Sequence, residues 1–318
     1  MDRTNDVIVG TATNYSWPQF KNYAVSLSES GFSGRKVLFV NNISSIARST
    51  LTKLGFELID YEKKELNTVI QRFKLFSDWL EAQSAVRYAI HCDVKDVVIQ
   101  RDPSVWMEQN PDDKVWGASE FILYRDEFAN PQWVEKVYGV SGRQLLANEE
   151  ILCAGTVAGE ADAVKRLTRK MYQKSIDRFG DDQAILNMLL RTDPEFKNVS
   201  RVPKWDEGFI LTAGWWLIGD VVGNPDRPIG QRSLLRNNPP ELRNGVAYPH
   251  GQSEPYCIVH QYERGNAWAP KITEHWQPTI KVEDEPYMPA PKPIRMTGPT
   301  KYAADGLTID WFDQWARG

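Results

Sequence analysis

The first hundred residues alternate short apolar runs with amphipathic stretches, and no other feature constrains the fold of this chain as strongly. Val7–Gly10 is apolar and ends in the polar turn Thr11–Ser16. Pro18 suits the first turn of a helix, and Phe20, Tyr23, Ala24 and Leu27 follow helical spacing until Gly31 and Gly34 stop it. Lys36–Val40 and Phe56–Tyr61 predict two more strands around a short helix, Ser44–Leu54, closed by Gly55. Val69, Phe73, Phe76 and Leu80 fall on one face, so 67–83 predicts an amphipathic helix. Tyr88–Cys92 and Val97–Gln100 are the next strands. Strands separated by helices predict parallel βαβ units with right-handed crossovers. Ligands of such sheets gather beyond the carboxyl ends of the strands. That singles out two loops, Thr11–Ser16 and Asp93–Asp96.

The second half is less regular. Val115–Ser119 and Cys153–Ala158 read as strands. Val164, Leu167, Met171 and Ile176 lie near one helical face. Asp181 or Asp182 is a candidate cap for a helix over Gln183–Arg191. Beyond Pro203 come Trp205, Trp215 and Trp216. From Pro278 proline recurs at Pro286, Pro289, Pro291, Pro293 and Pro299, which predicts an extended tail lying on the surface. The tail closes on the aromatic segment 309–318. The expected division is a body over 1–270, with halves 1–103 and 104–270, and an extension over 271–318. The body can be one α/β domain, although 318 residues approach two domains at ~150 residues each.

Composition excludes several functions. Lys plus Arg is 38 against 42 Asp plus Glu, a net charge of −4, so there is no broad basic surface for nucleic acid. Three separated cysteines, Cys92, Cys153 and Cys257, make neither a disulfide framework nor a zinc ribbon and suit a reducing compartment. No window approaches the ~20 apolar residues of a membrane span, and no secretory signal is visible. The expectation is a soluble, cytoplasmic protein; nothing in the sequence sets its oligomeric state.

The strongest chemical feature is the run from Ala89 to Pro103. Asp93 and Asp96 follow one apolar strand and precede another. Paired carboxylates at a strand end can supply one side of a hard divalent-cation site, and such a cation readily bridges a diphosphate. Asp102-Pro103 reads as turn chemistry.

Six segments, in order, resemble the GT-A glycosyltransferases, which use nucleotide-sugar donors. Among these the chain is most similar to retaining enzymes of the glycogenin and galactinol synthase type and to related plant and microbial sugar transferases. Val9–Tyr15 with Ala24–Leu27 resembles their opening strand and helix. Arg72–Leu75 lies where they carry a basic residue. Asp93-Val94-Lys95-Asp96 stands for their Asp-x-Asp, with one extra spacer. Ile151–Gly159 resembles their Asn-Ala-Gly strand, with Cys153 in the Asn position. Asp182–Asn187 matches their Asp-Gln-x-x-Leu-Asn element. Ile258–Gly265 resembles the segment that ends their core with a metal-binding His, although the Gly-x-x-Lys-Pro-Trp sequel is absent.

The resemblance implies a GT-A, Rossmann-like α/β fold with a mixed, mainly parallel sheet. It implies Mn²⁺ or Mg²⁺ held by Asp93, Asp96 and His260. Tyr15 would stack on a uracil, with Thr11 and Thr13 in the same donor loop. Arg72 would reach the donor phosphates. Cys153, Ala154, Gly155 and Gln183 would lie against the donor sugar, and Asp182 would stand near the anomeric carbon. Catalysis would rest on Asp182 and Arg72. The partners would be a nucleotide-sugar donor, UDP-linked, and a glycan or small hydroxyl acceptor, with retention of configuration. An inverting enzyme would need a carboxylate base, for which Asp181, Asp182, Asp206 and Glu207 are candidates. The stretch Trp205–Trp216 would suit stacking on an acceptor sugar or packing in the core. A non-catalytic nucleotide-sugar or carbohydrate-binding protein fits the altered Asp spacing, and a nucleotidyltransferase would lack its Gly-rich phosphate loop.

Overall fold

Strand β1 (Val7–Thr13) is the spine of the molecule, and Val7, Ile8 and Val9 are all buried. Burying each such branched side chain contributes roughly 1.5–3 kcal/mol relative to leaving it in water. The computed structural model describes residues 2–64, 68–221 and 232–288. β1 pairs in parallel with β2 (Arg35–Asn41) on one side and β4 (Tyr88–Cys92) on the other. β3 (Phe56–Asp60) adds in parallel to β2. These are the βαβ units expected from the sequence.

Their helices are α1 (Trp17–Glu29), α2 (Ser45–Lys53) and α3 (Thr68–Glu81). The starts of α1 and α2 have local causes. Gln19 reaches back to accept the Ser16 N–H at 2.7 Å ahead of α1, and Ser44 caps α2 by accepting from Ala47 N at 3.0 Å. In α3 the buried stripe is Ile70, Phe73, Phe76 and Leu80, with Ile70 in the place expected for Val69. Asp102-Pro103 opens helix α4 (Pro103–Gln109), with Asp102 accepting from Ser104 N.

Beyond β4 the sheet ceases to be parallel. β7 (Glu150–Glu160) is longer than the Cys153–Ala158 run suggested and lies antiparallel to both β4 and β6 (Val115–Leu123). β8 (Ser200–Arg201) completes a sheet of order β3-β2-β1-β4-β7-β6-β8. Helix α5 (Asn130–Leu146), kinked at Gly139, lies between β6 and β7 in sequence; α6 (Ala161–Lys174) and α7 (Asp181–Thr192) follow. α6 ends before Ile176, which is exposed. Helices α3, α6 and α7 cover one face of the sheet, and α1 and α2 cover the other.

Strand β5 (Val97–Ile99) does not join this sheet. It enters a three-stranded sheet of order β5-β12-β9, in which β12 (Ile258–His260) runs antiparallel to β5 and parallel to β9 (Ile210–Thr212). Helix α8 (Gly214–Val221), the hairpin of β10 (Glu241–Arg243) and β11 (Val246–Tyr248), and α9 (Ala269–His275) surround it. The chain after α9 runs without regular structure to residue 288. The prolines from Pro289 onward and the aromatic segment 309–318 lie outside the described residues. No helix among the described residues is long and apolar enough to cross a membrane.

Candidate active site

Two pairings assemble the site. Cys92 of β4 faces Thr156 of β7, and the next residue, Asp93, donates its N–H to Gly155 O at 2.7 Å. His260 of β12 faces Val97 of β5, and Gln261 N donates to Asp96 O at 2.8 Å. The first pairing brings the Asp loop to the middle of the main sheet, and the second brings His260 to the Asp loop. Oδ2 of Asp93 and Oδ2 of Asp96 each lie 3.5 Å from Nε2 of His260. All three ligand atoms fall within 4.8 Å of one another.

This arrangement fits a divalent cation. His260 is buried, and its Nε2 has no hydrogen-bond partner. Two carboxylates and an imidazole form a suitable donor set for Mn²⁺ or Mg²⁺. Burial favours a neutral His260, but Asp96 and Asp93 reverse this and raise its proton affinity well above the ordinary value. The field that holds a proton on Nε2 would equally hold a cation there. Gly155 leaves the necessary room: a Cβ would sit 2.3 Å from Cε1 of His260 and 2.5 Å from Oδ2 of Asp93. Cys153 backs the imidazole, its Sγ 3.7 Å from Nδ1 of His260 and 3.7 Å from Nε2 of Gln261. Burial drives its thiol upward, so it is a neutral neighbour of the ligand.

Beside this triangle lies a buried ionic chain. Arg72, from α3, donates to Oδ1 of Asp93, to Ala154 O at 3.3 Å and to Oδ2 of Asp182 at 3.1 Å. Burial raises the Asp93 carboxyl, but Arg72 and His260 outweigh it and hold that group well below the usual carboxylate range. Asp182 goes the other way, because burial exceeds the pull of Arg72 and pushes its carboxyl up to about 6. One arginine thus serves two acids of different proton affinity, with its Nε left unpartnered.

Tyr15, in the loop after β1, packs edge-on against Phe20 at 5.4 Å. Burial, followed by the charges of Asp96 and Asp93, raises its phenol, which puts the ring within the field of the site. Thr11 Oγ1 is buried without a partner, and Thr13 Oγ1 is bonded to the hydroxyl of Tyr61.

Four sequence candidates are engaged in structural contacts. Gln183 accepts from Ala154 N at 3.2 Å and donates to Asn130 Oδ1 at 2.7 Å and Glu120 Oε1 at 3.2 Å, so its amide fastens α7 to the sheet. Asp181 accepts from Ser175 Oγ, Ile176 N and Arg178 N, closing the loop before α7. Neither it nor Asp182 is the helix cap: Gly180, in the left-handed region at φ 81°, occupies that position. Glu207 is spent on Arg201 and Lys204 N. Trp215 is buried and donates its indole N–H to Glu120 at 2.7 Å, so it is core packing and no exposed platform. Sequence reasoning missed Glu120, a buried acid on β6 that anchors Gln183 and Trp215. Its signal was present, as a lone carboxylate inside the apolar run 115–123.

The α/β fold is of the GT-A type. No protein-family model matches the chain, and no curated protein does. Among solved structures it is similar to an active-site mutant of LgtC, with a TM-score of 0.50 and 14% identity, over 85% of this chain and 94% of that one. The galactosyltransferase LgtC in complex with donor and acceptor sugar analogs is also similar, at 15% identity and a TM-score of 0.47, over 80% of this chain and 86% of that one. At such identities the likeness is one of fold.

Proposed function

We propose that the protein is a metal-dependent glycosyltransferase that moves a sugar from a nucleotide diphosphate sugar, UDP-linked, to the hydroxyl of a saccharide or other small acceptor, with retention. The observation that carries this reading is the triangle of Asp93, Asp96 and His260 set directly against the Arg72–Asp182 pair in a GT-A fold. The likeness in fold to LgtC accords with it.

Asp93, Asp96 and His260 would hold Mn²⁺ or Mg²⁺. When bound, the cation supplies positive charge against the diphosphate as it leaves. Arg72 adds a fixed positive charge and, through its bond to Asp93, fixes the orientation of one ligand. Tyr15 offers an aromatic face for the base. Asp182 would stand against positive character at the anomeric carbon, and its burial makes that interaction stronger than in water.

Inversion is the second reading, favoured by one observation. The acceptor hydroxyl must lose a proton, and the Asp182 carboxyl, pushed up to about 6, is suited to receive it. Asp181 and Glu207 are committed elsewhere.

Calorimetry with UDP should show binding that strengthens when Mn²⁺ is present. Absence of binding by any nucleoside diphosphate would end the donor-site reading. Binding without turnover against a panel of nucleotide sugars would make the protein a nucleotide-sugar-binding relative. NMR of the product linkage separates retention from inversion.

A further inference from the structure

The loop carrying Tyr15 is held from the far end of the chain. Asn14 adopts the left-handed region at φ 57° and donates its N–H to Asn41 O at 3.0 Å. Tyr15 O accepts from Ser44 N at 3.0 Å. The next positions are fastened to residues 285–288. Trp17 N and Ser44 Oγ both donate to Oε2 of Glu285, each at 2.8 Å. Ser16 Oγ donates to Pro286 O at 2.7 Å and accepts from Met288 N at 2.9 Å. Gln19 Nε2 is 3.4 Å from Met288 O.

These bonds are concentrated at one place. Before residue 285 the segment meets the body at fewer points, Gln277 accepting from Lys21 and Val282 packing on the core, beside a cavity of about 570 Å³ lined by Trp17, Lys21, Thr273, Gln277, Val282 and Tyr287. The segment touches down on the Tyr15 loop itself. One carboxylate there binds the first N–H of α1 and the capping hydroxyl of α2. It thereby ties together the two helices that flank Tyr15, at the ends where a negative charge is favoured.

We propose that residues 285–288 clamp the Tyr15 loop in the conformation that receives the donor base, with Glu285 as a positioning residue. The inference rests on the donor-site reading above and extends it, giving part of the C-terminal extension a role in donor affinity. Glu285 touches no reacting atom. Its effect is to fix where Tyr15 stands before the nucleotide arrives, which lowers the ordering cost of binding.

The test compares Glu285→Ala, Glu285→Gln and the unaltered full-length protein. Hydrogen exchange over 14–20 without nucleotide reads the clamp directly, and should be faster in Glu285→Ala. Calorimetry with UDP and Mn²⁺ should then show affinity weakened about five- to tenfold, the size expected when binding must newly order about one side chain. Donor KM should rise in parallel, with kcat at saturating donor nearly unchanged. Glu285→Gln keeps an acceptor oxygen and should recover most of the affinity. Unchanged exchange in Glu285→Ala would overturn the clamp. Faster exchange with undiminished UDP affinity would overturn its role at the donor site. If the unaltered protein binds no nucleoside diphosphate, the donor-site reading fails, and with it that role; exchange alone then reports whether Glu285 holds the loop.

Discussion

A methyl group on residue 155 would lie 2.3 Å from the His260 ring and 2.5 Å from the Asp93 carboxylate. Neither can retreat freely, since Arg72 holds Asp93 and Cys153 backs the imidazole. Gly155→Ala should therefore weaken Mn²⁺ binding by about tenfold or more, as loss of well-placed metal-site support typically does. Electron paramagnetic resonance of free Mn²⁺ measures this directly, and affinity equal to the parent would show that the triangle is not the site. Protons should compete with the metal, because the carboxylates that attract a cation also raise the proton affinity of His260. Mn²⁺ binding should thus be weaker at pH 5.5 than at pH 8. Asp182→Asn keeps the shape but removes the charge proposed to face the sugar, and kcat should fall about 10²- to 10³-fold, the range for a buried electrostatic contact made in the transition state. With the Asp182 carboxyl at about 6, activity of the parent should decline on the acid side of that value.

At the level of elements, the Gln183 amide is the fastening between α7, β6 and β7. Gln183→Leu leaves Glu120, Asn130 and Ala154 N short of a partner, and should destabilise by roughly 2–3 kcal/mol in urea titration. A loss confined to donor affinity, with the urea midpoint unmoved, would instead mark Gln183 as a ligand contact. Elements with local causes were readable in the sequence. β1, α1 and α3 follow from period and capping, and the Asp loop from its place after an apolar strand. What was hidden is non-local. Nothing in 97–99 or 258–260 says that these strands pair with each other and leave the main sheet, yet that pairing delivers His260. The reversal at β7 is equally silent, since an apolar run fits parallel and antiparallel neighbours alike. α5 was missed although Val134, Tyr138 and Leu146 keep helical spacing, because Gly139 and Gly142 interrupt the run.

On the scale of the whole molecule, stability should fall in acid, and His91 is one reason. Its ring is fully buried between Phe73 and Phe76, at 5.3 and 5.5 Å, and neither nitrogen has a partner. Burial, with Arg72 adding to it, lowers its pKa from 6.5 to about 3. The unfolded chain takes up this proton below 6.5 and the folded chain does not, so stability drops as pH falls through that window, on the order of 1.4 kcal/mol per unit. Asp182 partly offsets this between about 6 and 3.8, because there the folded form binds the extra proton. His91→Leu should flatten the urea midpoint between pH 6.5 and 4 and cost little at pH 7.5, where the imidazole satisfies no bond. A midpoint that still tracks pH as in the parent would exclude His91 as the source.

The antiparallel docking of β12 on β5 also has a consequence in time. The first two oxygen ligands are made early, and the nitrogen ligand arrives only when the chain has reached residue 260. At ribosomal speeds of ~5–20 residues per second the interval is roughly ten to thirty seconds. During it β6, β7 and β8 join the main sheet, while only two of the three residues of the triangle are present. The triangle of Asp93, Asp96 and His260 is complete only when the small sheet closes, so the activity proposed above would wait on completion of the body.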